Sequence, residues 1–265
     1  MYDFAYHRPK SLAEAVAALK GKPEGRAMSG GMTLIPTLKQ RLAKPSDVVD
    51  LNGIKELAGI KVEGNGVTIG GMTRHHDVAS SAEVKAAIPA LAHLAGHIGD
   101  PAVRNRGTMG GSVANNDPAA DYPAAVVALN ATITTNTRKI AADDFFKGLF
   151  ETALEEGELI TAISFPKAEK AGYMKFPNPA SRYAMVGVFV AKTASGVRVA
   201  VTGAGPCVFR VKEMEDALSK NFSSDAIKDI KVPADELNSD IHGSAEYRAH
   251  LVTVMARRAV DQASK

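Results

Sequence analysis

The residues best suited to holding a charged ligand lie between Gly99 and Pro123. This stretch, GDPAVRNRGTMGGSVANNDPAADYP, combines two arginines, a glycine-rich turn, two asparagines and two aspartates with almost no large apolar side chain. Glycines let backbone N–H groups approach an anion closely, so the composition predicts a segment shaped around a ligand. The alternative is a surface loop, although ordinary connections are much shorter.

Two further glycine pairs, Gly30-Gly31 and Gly70-Gly71, follow short segments typical of strands, as does Gly110-Gly111. Three such turns indicate an extended ligand that is contacted at several points, such as a dinucleotide with a pyrophosphate. The first pair leads into a helix-forming segment, as in a phosphate loop, but it lacks the Walker A ending and the GxGxxG pattern. Structural turns would explain the glycines almost as well.

Two carboxylates of the same stretch are candidates for contacts to ligand hydroxyls. Asp121 or Asp117 could accept hydrogen bonds from sugar or ribityl groups. The Asp117-Pro118 pair fits an Asx turn equally well. Of the adjacent His75 and His76, we expect one to point inward and the other outward.

Composition excludes several classes of protein. The 265 residues suffice for two domains, and the net charge of +3 with scattered basic residues argues against nucleic acid as a partner. The chain has no run of 18 apolar residues and no secretory pattern after Tyr2, so we expect a cytoplasmic protein without a transmembrane segment. Its single cysteine, Cys207, cannot form a disulfide within the chain or a four-cysteine metal site. Redox chemistry here therefore needs another cofactor.

Helices and strands that could position these residues are recognisable from periodicity and turn signals. The apolar spacing, a capping box at Ser11 and an Asn-Gly turn predict a series of elements. These are helices at 12–19, 34–42, 75–79, 88–95 and 122–129, strands at 47–51, 131–135 and 158–165, and a hairpin at 61–69. Phe145 and Phe146 are expected to precede a loop.

The polar segment 167–172 is the candidate domain boundary, because it lacks apolar periodicity. It divides the chain into residues 1–166, with subdomains of about 1–55 and 56–166, and residues 167–265. The second part is predicted to contain strands at 173–176, 185–192 and 197–202 and helices at 211–218 and 247–263. Strands followed by helices indicate an α+β fold.

Three segments carry a resemblance to a known family. AMSGGMTLIPTLKQRL, TIGGMTRHHDV and GDPAVRNRGTMGGSVANNDPAADYPA resemble the FAD-binding medium subunit of the molybdenum hydroxylases, the carbon monoxide dehydrogenase, xanthine dehydrogenase and aldehyde oxidase group. The likeness runs in order through nearly the whole chain. It implies a two-lobed FAD-binding domain of the vanillyl-alcohol-oxidase type, followed by a small C-terminal domain with a three-stranded antiparallel sheet and helices.

The resemblance assigns cofactor contacts position by position. Two pyrophosphate loops, a ribityl or adenosine contact, a backbone contact at a strand and an aromatic residue over the flavin are implied. The residues are Ala27, Met28, Ser29, Gly30, Gly31, Met32, Thr33, Leu34, Ile98, Thr108, Gly110, Gly111, Ser112, Asn115, Asp121, Leu159, Ile160, Lys175 and Tyr183. No catalytic residue and no metal site is implied for this chain.

In function, the resemblance implies an oxidoreductase subunit that transfers electrons. They would pass from the [2Fe–2S] clusters of a small subunit through FAD to an external acceptor such as a quinone, NAD or O₂. A molybdopterin-binding large subunit would complete a heterotrimer, expected to dimerise. The alternatives are a self-contained flavoenzyme, with His75, His76 and Arg182 as candidate catalytic residues, and a nucleotide-binding regulatory module.

The arginines raise separate questions. The family usually has an acidic residue just before the aromatic, whereas Arg182 precedes Tyr183 here. An arginine that pointed inward would favour the anionic reduced flavin and raise its potential. Arg104 and Arg106 are expected to brace the glycine-rich stretch against Asp117 or a partner subunit.

Overall fold

The computed structural model describes residues 1–265, whose helices and strands alternate along the chain. The helices are α1 (Leu12–Leu19), α2 (Leu34–Lys39), α3 (His75–Ser80), α4 (Ala82–Ala87), α5 (Pro89–Gly96), α6 (Pro101–Arg104), α7 (Met109–Asn115), α8 (Tyr122–Ala128), α9 (Ala142–Phe145), α10 (Lys212–Lys220) and α11 (Ala245–Ala263). The strands are β1 (Ala5–His7), β2 (Arg26–Met28), β3 (Asp47–Asp50), β4 (Ile60–Glu63), β5 (Gly66–Gly70), β6 (Thr132–Thr135), β7 (Lys139–Ala141), β8 (Phe146–Gly148), β9 (Glu151–Thr152), β10 (Ile160–Pro166), β11 (Lys170–Pro177), β12 (Ala184–Thr193), β13 (Gly196–Thr202) and β14 (Phe209–Arg210).

Three sheets and one small hairpin form from these strands. A parallel sheet has the order β1-β3-β2, and an antiparallel sheet has the order β4-β5-β10-β6-β7. In the centre of the second sheet, Ile163 of β10 pairs with Ile69 on one side and Ile133 on the other. The third sheet, β11-β12-β13-β14, is antiparallel, and β8 pairs with β9.

The local signals at the start of the chain are confirmed. The side chain of Ser11 accepts a hydrogen bond from the Glu14 N–H at the start of α1. The Glu14 carboxylate accepts from the Lys10 N–H, one residue earlier than a capping box requires. The predicted Asn-Gly hairpin is present as β4 and β5. Satisfying these terminal N–H groups fixes where α1 begins.

The C-terminal sheet differs from the expected one in two ways. The three predicted strands are present as β11, β12 and β13, but the short β14 adds a fourth, with Ala200 opposite Arg210. A two-residue strand carries too little alternation to be recognised from sequence. The first of these strands also begins at Lys170, inside the polar segment 167–172. In the first part of the chain, the segment after Phe146 is expected to be a loop, but in the structure it belongs to the short hairpin of β8 and β9.

Buried apolar side chains form a core that joins the second and third sheets. It contains α5, α7 and all of α8, whose seven residues are buried, together with Tyr173 and Phe189 of the C-terminal sheet. A second cluster lies between the C-terminal sheet and helices α10 and α11. The second half of the glycine-rich stretch, from Gly107 onward, therefore packs against the first core.

The stretch from Gly99 to Pro123 is accordingly neither an open loop nor free of regular structure. It contains α6, α7 and the start of α8, and Thr108, Met109 and Gly110 are buried. The surface-loop alternative is wrong, because small residues here allow close packing. No helix of the chain is both long enough and apolar enough to cross a bilayer.

Candidate cofactor-binding site

One cavity of about 510 Å³ is lined by nearly all of the predicted site residues. Its volume is within the range of about 300–1,000 Å³ that is usual for pockets holding small molecules. Of the residues predicted to contact a cofactor, every one except Lys175 lines this cavity. The structure therefore brings the segments that the sequence singled out to one cavity.

The loop after β2 supplies free backbone donors to the cavity. None of the N–H groups from Ser29 to Thr33 donates a hydrogen bond within the protein. The side-chain amide of Asn52 donates to the Ser29 carbonyl at 2.7 Å and fixes the loop from behind. Gly31 has a φ of +74°, which favours glycine, and a Cβ on Gly30 would overlap the carbonyl oxygen of Arg106. These glycines leave a row of unpaired donors suited to an anion.

The second loop, at the start of α7, uses its donors within the protein. The Met109 N–H donates to the Thr73 carbonyl at 3.0 Å, and the Gly110 N–H donates to the Gly71 carbonyl at 2.9 Å. The Gly111 N–H donates to the hydroxyl of Thr108, which caps the helix. The expectation that this loop offers free N–H groups is therefore wrong for these three residues.

Close packing explains the glycines of the second loop. A Cβ on Gly110 would lie 2.7 Å from the carbonyl oxygen of Gly71, so a side chain there would separate α7 from β5. A Cβ on Gly111 would lie 2.7 Å from the hydroxyl of Ser29, where the two loops meet. Ser112 and Asn115 line the cavity with side chains that make no hydrogen bond in the protein. They are free to contact a ligand.

Asp121 lies at the bottom of the cavity in a buried network. Its carboxylate is 2.9 Å from the ammonium of Lys175 and accepts a hydrogen bond from the Tyr173 hydroxyl. Lys175 also donates to the His97 carbonyl at 2.7 Å. Burial raises the pKa of the Asp121 carboxyl, and the neighbouring ammonium opposes that rise. Lys175 thus lies behind the cavity wall and acts on Asp121, in contrast to the cofactor contact expected for it.

One end of the cavity is bordered by Ile98 and by the turn between β11 and β12. Tyr183 lies in this turn with 46% of its surface exposed, and burial of the rest, with Asp117 nearby, raises the pKa of its hydroxyl. Arg182 has a φ of +62° and directs its guanidinium at the Gly99 carbonyl, 3.5 Å away. Tyr183 is therefore available to cover a ring that enters at this end.

Arg104 does brace the stretch, but through different partners from those expected. Its guanidinium donates to the carbonyls of Ile98 at 3.0 Å and Gly99 at 3.1 Å, whereas Asp117 accepts from the Ala119 N–H as in an Asx turn. Burial raises the pKa of the Asp117 carboxyl. Arg106 is exposed and forms no ion pair within the chain.

Several residues that line the cavity were not predicted from the sequence, among them Arg26, Leu154 and Glu158. His75 lies inward and His76 outward, which confirms the expected division of this pair. Burial and the charge of Arg104 lower the pKa of His75 to about 4, so this ring is neutral near pH 7. In the sequence, only the position of Glu158 next to the predicted Leu159 could have pointed to it. A single carboxylate between unrelated residues does not reveal that it is buried in the fold.

The fold places the cavity among the glycine-rich segments of the first 166 residues, and the four-stranded C-terminal sheet borders it through Tyr183. Both parts of the chain match known protein families. Residues 2–168 match the family described as the FAD binding domain in molybdopterin dehydrogenase, and residues 171–263 match the CO dehydrogenase flavoprotein C-terminal domain. The chain belongs to this family of FAD-binding medium subunits of molybdenum hydroxylases, and it is an oxidoreductase subunit whose cofactor is FAD.

Individual relatives match along almost their whole length. The chain is 39% identical to the glyceraldehyde dehydrogenase medium chain of Sulfolobus acidocaldarius, over 97% of each. It is 36% identical to the carbon monoxide dehydrogenase medium chain of Hydrogenophaga pseudoflava, over 98% of this chain and 96% of that one. A solved carbon monoxide dehydrogenase from the latter organism superposes with a TM-score of 0.89 at 37% identity, covering 98% of this chain and 97% of that chain. Such relatives are medium subunits of multi-subunit complexes.

Proposed function

We propose that this chain collects electrons from the [2Fe–2S] clusters of a small partner subunit and passes them through FAD to an external acceptor. A molybdopterin-binding large subunit would oxidise the substrate, and two such heterotrimers would pair in the cytoplasm. The row of free N–H groups from Ser29 to Thr33 in the wall of the cavity carries the proposal. A pyrophosphate needs several such donors, and the parts of a dinucleotide on either side of it need room in opposite directions.

The position of these donors orients the cofactor. We place the pyrophosphate on Ser29–Thr33, the flavin beside Ile98 and Tyr183, and the adenine toward Leu159 and Ile160. Ser112 and Asn115 are free to contact the cofactor between these ends. Residues 1–166 would then form the FAD domain, and residues 167–265 would supply Tyr183.

Bound FAD supplies the electron-carrying chemistry, and this chain supplies binding and orientation. The neutral His75 is held by packing against Tyr122, with ring centroids 5.3 Å apart, and His76 is exposed. The single cysteine cannot ligate an iron–sulfur cluster within this chain, so the clusters must belong to a partner. The electron source is therefore assigned to another subunit.

Reconstitution with FAD tests the binding part of the proposal. The full chain mixed with FAD and freed of excess cofactor should show flavin absorption bands, and Gly31→Val should lose them because φ at this position is +74°. Gly196→Val serves as the matched control, since Gly196 also has a positive φ, +113°, but lies in a distant hairpin turn. Flavin retained in Gly31→Val and in the control alike would overturn the assignment of this loop.

Purification of the tagged chain from its own cells tests the partner assignment. Two further subunits should co-purify in equal amounts, one carrying iron and one carrying molybdenum. Reduction of the bound flavin by an organic substrate without these subunits would instead establish a self-contained flavoenzyme.

A further inference from the structure

A buried carboxylate, Glu158, lines the cavity and also a second space that Tyr183 does not border. Glu158 has a side chain that is 2% exposed and accepts hydrogen bonds from the hydroxyls of Thr135 at 2.6 Å and Thr137 at 2.8 Å. It also accepts two bonds from the guanidinium of Arg138, both at 3.0 Å, and one from the Glu155 N–H at 2.8 Å. These donors, with Arg138 first among them, lower the pKa of Glu158 to about 2. The group is therefore a fully satisfied buried anion.

The residue after this carboxylate is held just as firmly. The Leu159 N–H donates to the side-chain carbonyl of Asn136 at 2.7 Å, and the Asn136 N–H donates to the Leu159 carbonyl at 3.1 Å. The register of β10 against β6 shifts between Ile160 and Ala162, which is a bulge. Bulges redirect side chains, and a bulge beside a rigid anchor gives one defined direction. Residues 135–138 therefore fix the edge formed by Leu159 and Ile160.

The edge lies at one end of the cavity. Glu158, Leu159, Leu154 and Arg26 line both the main cavity and a second space of about 430 Å³ that continues from it. None of the residues at the Tyr183 end borders this second space. The Glu158 edge and Tyr183 therefore face different parts of an extended ligand.

We propose that Glu158 and Arg138 are positioning residues for the adenine half of the cofactor and give the chain its preference for FAD over FMN. This inference rests on the proposed orientation of FAD. The ion pair holds residues 135–138 against Leu159, so that the wall facing the adenine is formed before the cofactor binds. A preformed wall avoids the entropic cost of ordering it on binding.

The C-terminal domain offers a matched control. There the buried carboxylate of Glu215 accepts from Arg210 at 2.8 and 2.7 Å and from the Val199 N–H at 3.0 Å, far from the cavity. Glu158→Gln and Glu215→Gln therefore remove the same kind of pair. If the Glu158 pair only stabilised the fold, the two variants would behave alike toward ligands.

The test titrates the full chain with FAD, and with ADP and FMN as competitors. Glu158→Gln should weaken the binding of FAD and of ADP about tenfold each, and the binding of FMN less than threefold. Glu215→Gln should leave the ratios of the three dissociation constants unchanged. Thr137→Val, which removes one bond to Glu158, should shift the ratios in the same direction by about threefold even if Glu158→Gln does not fold. Arg138→Lys should restore part of the preference that Arg138→Gln loses, because lysine keeps the charge without the bidentate geometry.

The outcomes separate this inference from the proposed function. Equal weakening of all three ligands in Glu158→Gln and Thr137→Val, or unchanged ligand ratios in both, would overturn the positioning role. Failure of the unaltered chain to bind FAD would instead overturn the proposed function.

Discussion

The loop at Gly30-Gly31 and the loop at Gly110-Gly111 look alike in the sequence and differ in the structure. The first pair follows β2 and precedes α2, whereas the strand end expected before the second pair is absent, and Gly110 and Gly111 lie in the first turn of α7. In the first loop the N–H groups are free, while in the second the N–H groups of Met109, Gly110 and Gly111 are used within the protein. A glycine pair therefore has two separate uses, one toward a ligand and one toward the protein itself.

Capping and packing account for the difference. Thr108 caps α7, and the helix lies against the backbone of Gly71, whereas Thr33 makes no capping bond at α2. A helix start that is capped and buried has satisfied its donors, and one that is uncapped must find water or a ligand. We therefore expect the first loop to have the larger part in binding the cofactor and the second loop to hold the first in position.

The largest expected effect is on stability and comes from the second loop. In Gly110→Val the added Cβ would lie 2.7 Å from the Gly71 carbonyl oxygen, and backbone cannot move aside cheaply. Overpacking of this kind costs about 3 kcal/mol. Urea denaturation should show this loss in the chain without FAD. A variant as stable as the unaltered chain would contradict the packing role of this glycine.

The second prediction concerns binding. Gly31→Ala should weaken FAD binding by about tenfold or more, roughly 1.4 kcal/mol, because a side chain disfavours the φ of +74° and would displace the free donors, while the nearest atom to its Cβ is the movable end of the Ile35 side chain. Its effect on binding should exceed its effect on unfolding, the reverse of Gly110→Val. Calorimetric titration and denaturation of the same samples measure both quantities. If the ratio of the loss in binding free energy to the loss in unfolding free energy were the same in both variants, the two loops would not differ in function.

The third prediction is a pH dependence beside the second loop. Burial and Arg104 lower the pKa of His75 to about 4, against its ordinary value of 6.5, so the unfolded chain binds more protons between these values. His75 therefore contributes stability that is complete above about pH 6.5 and is lost as pH falls toward 4. The difference in unfolding free energy between the unaltered chain and His75→Phe should change by about 2–3 kcal/mol across this range. A constant difference would show that His75 is protonated when folded.

The smallest expected effect on stability compares the residues that precede the two helices, Thr108 before α7 and Thr33 before α2. Thr108→Val keeps the shape of the side chain but removes the acceptor for the Gly111 N–H. The free energy of unfolding should therefore fall by about 1 kcal/mol. Thr33→Val at α2 should cost less, because Thr33 makes no capping bond. Thermal unfolding of the two variants tests the order, and equal losses would mean that the Thr108 cap contributes nothing specific.

Much of the fold could be predicted from local patterns. The capping box at Ser11, the hairpin at 61–69 and the apolar helix at 122–129 each carry their signal within a few residues. The short β14 and the β8–β9 hairpin could not be recognised, because their pairing depends on partners distant in the chain. The candidate site was predicted from its glycines and from the resemblance to a family, neither of which points to Glu158.

The sequence by itself determined the cofactor class, through the resemblance to a family, and most of the longer helices and strands. Only the tertiary structure decided how each residue is used at the cavity. Asp121 and Lys175 could both be read as ligands until burial placed them in one ion pair, and Gly110 could be read as a phosphate contact until it was found against Gly71. The physical reason is that a residue type offers hydrogen-bonding groups or room, while the neighbours brought by folding decide what occupies them.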